Sequence, residues 1–235
     1  MTDMWLLVVG SGLWLLANGL SGIALAQQRD APPRRQDLEP VESALTYHTP
    51  TYHSKLRDIL LKPVPWDSPV VFLSLPSFEL ETLVSVHPVG DSHEAVVLLP
   101  ERQIWEHVSA KDDRRIAVTT TKKALPAKLA ERLRQQWRTM LARTCYSDDP
   151  IQHLDGVSYL FLQYLRGVGH RGGKASNPAT GTRAAGMAEV GLALIAYVQA
   201  KPDDEAAALA RLGEAMDALD AMLAAVAKAS APAGK

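Results

Sequence analysis

Cys145, His153 and Asp155 are the residue types of a thiol nucleophile, its general base and the carboxylate that orients the base, and they lie close together in the chain. Catalysis needs those groups within hydrogen-bond reach in space, and partners of that kind are seldom neighbours in sequence. Cys145 ends a helical stretch, where a small apolar side chain serves as well, so a structural thiol is the simpler reading. The histidines do not make a metal site by spacing. His48 and His53 are five apart, His87 and His93 six apart, and His93-Glu94 lacks the second histidine of a helical zinc motif because position 97 is valine. With one cysteine the chain forms no internal disulfide and no cysteine-based zinc site. No metal and no cofactor are expected.

A second candidate is the run Gly167-Val168-Gly169-His170-Arg171-Gly172-Gly173-Lys174. A phosphate loop needs a glycine five residues before its Gly-Lys pair and a Ser or Thr after it; here those positions are Val168 and Ala175. Residues 167–182, with Asn177-Pro178 and Thr180-Gly181 following, therefore read as a long mobile connection. Such a segment still recognises ligands. His170, Arg171, Lys174 and Arg183 are its dense positive group, and they are the expected binding residues for an anionic partner.

The elements that must position these groups follow from periodicity. Residues 52–62 cluster Leu56, Ile59, Leu60 and Leu61 at helical spacing before Pro63. From Val70 the chain turns β-like, through Val70-Val71-Phe72-Leu73-Ser74-Leu75, then alternating Leu80, Thr82, Val84 and Val86, then Ala95 to Leu99 and Ile116 to Thr121, with turn residues between. That pattern predicts an antiparallel meander. Pro126 opens a helix with a stripe of Leu129, Leu133, Trp137, Met140 and Leu141, which packs most cheaply on the meander. Residues 157–165 form a buried strand. Two helices follow, at 183–199 and from Pro202 to about 228; the second carries Leu209, Leu212, Met216, Leu219, Leu223 and Val226 as a short heptad seam for an antiparallel pair. The fold class is α+β, a single domain over residues 47–228 with a flexible tail at 229–235.

At the start, residues 5–26 carry no charge and close on Ala24-Leu25-Ala26, the small-residue pattern that a signal peptidase reads. Residues 1–26 are thus expected to be a signal peptide. The absence of Lys or Arg before the run, and a length of about 20 apolar residues, leave an uncleaved membrane anchor or a core helix as alternatives. Residues 27–46, with Pro32-Pro33 and Pro40 among scattered charges, read as a linker.

Leu154-Asp155-Gly156-Val157-Ser158-Tyr159-Leu160-Phe161, then Asn177-Pro178-Ala179-Thr180-Gly181, then a helix ending Leu194-Ile195-Ala196-Tyr197, resembles a pattern in a family of uncharacterised bacterial proteins: an Asp-Gly-x-x-Tyr-x-Phe strand, a Pro-x-x-Gly loop and a helix. It covers about residues 143–198. The related pattern often places an aromatic residue and a serine before the proline, where this chain has Ser176-Asn177. The resemblance implies no activity and assigns no catalytic residue.

Lys+Arg number 25 against 26 Asp+Glu, so no basic field recommends nucleic acid as a partner. Two function classes fit. The favoured one is an exported, periplasmic or secreted, noncatalytic module that binds a protein or anionic envelope component, of inhibitor or immunity type for example. The alternative is a small envelope hydrolase using Cys145 and His153. The leader reading has a direct test: N-terminal sequencing of the protein recovered from its producing cell should give Gln27 as the first residue, and an intact Met1 chain in the membrane pellet would establish an anchor.

Overall fold

The computed structural model describes residues 37–41, 52–110, 114–146 and 156–229. All belong to one unit, Arg35–Lys235. The expected leader at 1–26, most of the expected linker and the tail beyond 229 lie outside the described residues.

A seven-stranded, fully antiparallel sheet forms the middle layer, in the order β1-β7-β6-β2-β3-β4-β5. Its strands are β1 (Glu39–Pro40), β2 (Val70–Pro76), β3 (Thr82–Val89), β4 (Ser92–Pro100), β5 (Val118–Leu125), β6 (Val157–Leu165) and β7 (Gly169–Ser176). The order follows from burial. Val70-Val71-Phe72-Leu73 is apolar on both faces and buried throughout, which only a central strand covered on two sides allows. β5 shows solvent Thr119, Thr120 and Lys122, and the other edge is a two-residue strand containing Pro40; short, charged or proline-bearing edges are poor templates for further pairing.

One face carries the long helices α3 (Ala127–Leu141), α4 (Arg183–Gln199) and α5 (Glu205–Ala229). The other carries two short ones, α1 (Tyr52–Leu56), which runs on through wider π-type turns at Arg57–Leu61, and α2 (Ile104–Ser109). Period-two alternation divides the strand side chains between them: Phe72, Val84, Val97 and Phe161 join the long helices, while Val71, Leu83, Val96 and Leu162 join Leu56, Leu60 and Ile104. The α+β class, the meander and the closing helix pair are as the periodicity implies. In that pair, Gly186 early in α4 faces Leu219 and Met222 late in α5, so the helices run antiparallel. Leu212, Met216 and Leu219 of the seam are fully buried.

Three elements differ from the sequence reading. The segment taken as a mobile connection is largely strand: β7 pairs residue for residue with β6, from Leu165↔Gly169 to Ser158↔Ser176, around a turn in which Gly167 and Gly169 have positive φ. Only 177–182 remains loop. Part of the expected linker packs, since β1 pairs Glu39 with Lys174 and Leu38 is completely buried. Glycine explains how: a Cβ on Gly173 would lie 2.9 Å from Leu38 Cδ1 and 3.0 Å from Leu141 Cδ2. The chain gives up a side chain in β7 so that β1 can bring Leu38 into the core. Lastly, α2 has no counterpart in the sequence reading.

Among the glycines of the core, Gly191 of α4 makes the tightest approach, to the Phe72 ring. A Cβ at 191 would lie 2.6 Å from Phe72 Cγ, and that ring packs against Tyr159 (5.6 Å, stacked) and Phe161 (5.3 Å), both of the neighbouring strand β6. Two opposed effects meet there, and the larger one sets the sign. Gly191→Ala should lower stability in urea unfolding by about 1 to 3 kcal/mol through overpacking, although helix propensity alone favours alanine by about 1 kcal/mol. Gly213→Ala in α5, where nothing lies within 4 Å of the new Cβ, should instead stabilise by up to about 1 kcal/mol.

Candidate functional site

Pro63 and Pro65 stop the α1 helix and turn the chain back toward β2. The turn is closed by Val64 N donating to Leu61 O (3.0 Å) and Ser68 N to Pro65 O (3.1 Å). Tyr164 N of β6 donates to Ser68 O at 3.1 Å, which ties the segment to the sheet. Trp66 stands at its apex, 67% exposed, with its ring edge-on to Tyr164 at 4.6 Å. Tyr164 in turn contacts His170 across the β6-β7 pair at 5.3 Å. His170 Nε2 bonds the Trp66 carbonyl, which only accepts, so that nitrogen carries the proton.

Under this aromatic clasp lies a cleft of about 260 Å³, on the α1 face of the sheet. Val71 of β2, Leu162 of β6 and Val41, just after β1, form its walls, Leu61 and Val64 also line it, and Gly172 lines it without a side chain. Ser68 is buried, and its Oγ has no hydrogen-bond partner. A buried hydroxyl without a partner carries a desolvation cost of order 1 to 3 kcal/mol, which a ligand oxygen would relieve. Lys62 also lines the cleft, exposed to solvent.

The four expected binding residues do not form one cluster. His170 and Arg171 both border the cleft, but as neighbours on a strand their side chains leave the sheet on opposite faces, and Arg171 sits opposite Gln163, whose side chain bonds the α3 carbonyl of Arg134. Lys174 is held by Glu39 at 3.3 Å. Arg183 forms a two-pronged pair with Asp37 (2.8 and 2.6 Å), and the hydrogen bonds to that carboxylate raise its already high pKa against the opposing effect of burial. Both carboxylates come from the β1 segment. The positive charges near the glycine-rich strand thus hold that segment in place, which is the role a linker reading could not assign them.

The thiol candidate stands apart. Cys145 is exposed and lies beyond the end of α3 instead of closing the helix, its backbone N donating to Leu38 O at 3.0 Å. His153 and Asp155 are outside the described residues, as is His48. Among the described residues no group of three His, Cys, Asp or Glu side chains is placed to hold a metal. His87 and His93 fall on opposite faces of the β3-β4 ladder, because His87 pairs with Glu94 and His93 is next along the strand. The loop after β7 is set by Asn177, to which the sequence pattern assigns no role beyond the loop. Asn177 adopts φ +45°, and its side-chain Oδ1 accepts from Val157 N at 2.8 Å. A Cβ on Gly156, itself at φ +127°, would collide with that amide at 1.9 Å, so the Asp-Gly-x-x-Tyr-x-Phe start needs its glycine.

No protein-family model, curated protein or solved structure matches the chain.

Glu81 is the one fully buried carboxylate among the described residues, and hence a natural suspect for acid/base work. Its oxygens are already occupied. It accepts from Ile104 N (2.8 Å) and Trp105 N (3.1 Å) at the start of α2, and from the Tyr52 hydroxyl (3.1 Å) of α1. Burial, and then the neighbouring Glu81 charge, push the Tyr52 phenol far above its ordinary range. The group joins α1, β3 and α2. Glu81→Ala should therefore destabilise by about 2 to 4 kcal/mol, since one buried and two partly buried donors lose their acceptor; a loss under about 0.5 kcal/mol in chemical denaturation would place it among ordinary surface changes instead.

Proposed function

We propose that this chain is an exported, noncatalytic binding module, periplasmic or secreted, which takes a protein or anionic envelope component at the cleft between the Trp66 turn and the β6-β7 hairpin. The observation that carries the reading is the exposed Trp66 ring fixed over an apolar cleft whose one buried hydroxyl, Ser68 Oγ, has no partner. Other aromatic rings, such as Phe78, are as exposed; Trp66 differs in standing at the mouth of a cleft, and apolar clefts with a few convergent polar groups are the usual form of a binding site. Two further features support binding over chemistry. The His170 nitrogen facing the turn is bonded to a carbonyl, and among the described residues no base is hydrogen-bonded to Ser68 Oγ. The uncharged residues 5–26 with their small-residue end support export. Among the described residues no helix is long and apolar enough to cross a membrane.

Immobilised full chain incubated with an envelope extract should retain components that Trp66→Ala does not, while the two proteins melt within a few degrees of each other. The same components bound equally by both proteins would move the binding surface away from the cleft.

A further inference from the structure

We infer that the cleft takes a small amphipathic anion, an apolar body ended by a carboxylate, with Ser68 and Lys62 as its polar contacts; this rests on the binding role given to the same cleft above. Size sets the first limit. A volume of about 260 Å³ is roughly nine times the ~30 Å³ share of one water-sized group, which corresponds to an apolar body of about eight to ten carbons. Shape agrees with an aliphatic chain: the walls are Val41, Leu61, Val64, Val71 and Leu162, and the missing side chain of Gly172 lets Val41 and Leu162 close up over the strand as one apolar wall.

The polar end follows from what the lining offers. It contains no Asp or Glu, so a cationic head would find no counter-charge. Ser68 Oγ has an O–H to donate and nothing among the described residues to receive it. Lys62 borders the same cleft, and no described carboxylate pairs with it. His170, by contrast, already donates from Nε2 to Trp66 O. Gln163 Oε1 is also without a partner, but its amide is turned to the opposite face of the sheet, where Nε2 donates to Arg134 O; on the α1 side two free donors beside an apolar chamber select an oxygen acceptor, and an ionised one is bound through the stronger, charge-assisted hydrogen bonds. Trp66 covers the chain end of such a ligand.

The test uses the full chain and monomeric probes below their micelle-forming concentrations, followed by titration calorimetry. Sodium decanoate should bind saturably, decan-1-ol about threefold to tenfold more weakly, and decyltrimethylammonium not measurably. Lys62→Ala should weaken decanoate by about threefold to fivefold and leave decanol unchanged, because an exposed ion pair contributes about 1 kcal/mol or less. Trp66→Ala should weaken both. Vesicles of phosphatidylglycerol, which offer acyl chains but no free carboxylate, should not bind. Equal affinity for decanoate and decanol, preference for the cationic probe, or binding to the vesicles alone would overturn the inference. If decanoate fails while Trp66→Ala still abolishes retention of envelope components, the ligand class is wrong and the binding role stands; if both fail, both are wrong.

Discussion

The Phe72 ring, pressed against Gly191, is the contact on which the rest of the architecture depends. Phe72 occupies the middle of the central strand, and its ring is too large to share the space above the sheet with a helix of ordinary side chains. Removing the side chain at 191 lets α4 sit directly on the ring. α5 then packs over α4 by its Leu212, Met216 and Leu219 seam, and α3 fills the remaining width beside them, where Trp137 reaches down to donate to Val71 O at 3.1 Å. All three long helices are committed to one face by that arrangement. The opposite face is left to two short helices and a turn, and a cover so short leaves room for a cleft.

Charged groups in this fold mostly join segments that are distant in sequence. Asp37 and Glu39 hold the β1 segment to Arg183 and Lys174, and Arg132 bridges from α3 to Asp217 and Asp220 of α5, with the Gln136 amide donating to the same Asp220. Lys123 of β5 donates to Ala200 O at 2.9 Å and meets Glu205 at 3.1 Å, closing the turn between α4 and α5. Such pairs add little each when exposed. Their value here is positional: they determine which carboxylates and cations are already taken, and so which polar groups near the cleft are still available to a ligand.

Much of the fold was legible because its signals are redundant. The helix at 183–199, the strand at 157–165 and the seam from Leu209 carry periods long enough to resist local ambiguity. What escaped was built from weak or double-valued signals. Gly172 and Gly173 have the composition of a loop, yet they are strand residues whose missing side chains admit Val41 and Leu38, the residues on either side of β1 and far earlier in the chain, and no local pattern records that contact. α2 is a six-residue helix that depends on the distant Glu81 carboxylate at its start. The candidate site was half legible. His170 and Arg171 were singled out and do border the cleft, but period two in a strand separates their side chains, whereas a loop would have let them converge. Trp66 and Ser68 carried no signal, since an exposed tryptophan and an unpartnered hydroxyl acquire meaning only when their surroundings are known.

The same division explains why the cleft is better suited to recognition than the glycine-rich segment itself. A mobile loop would pay the entropy of ordering on each binding event, at about 1 to 2 kcal/mol per residue fixed. β7 has already paid it through its pairing with β6 and β1. The aromatic clasp of Trp66, Tyr164 and His170 adds rigidity at the mouth, so a ligand meets walls that need not be assembled first. On the α1 side of the cleft the groups open to the proposed ligand are the Ser68 hydroxyl, the Lys62 ammonium and the Trp66 indole ring. Those are the places where a ligand gains contacts without disturbing the Phe72 core on the other side of the sheet.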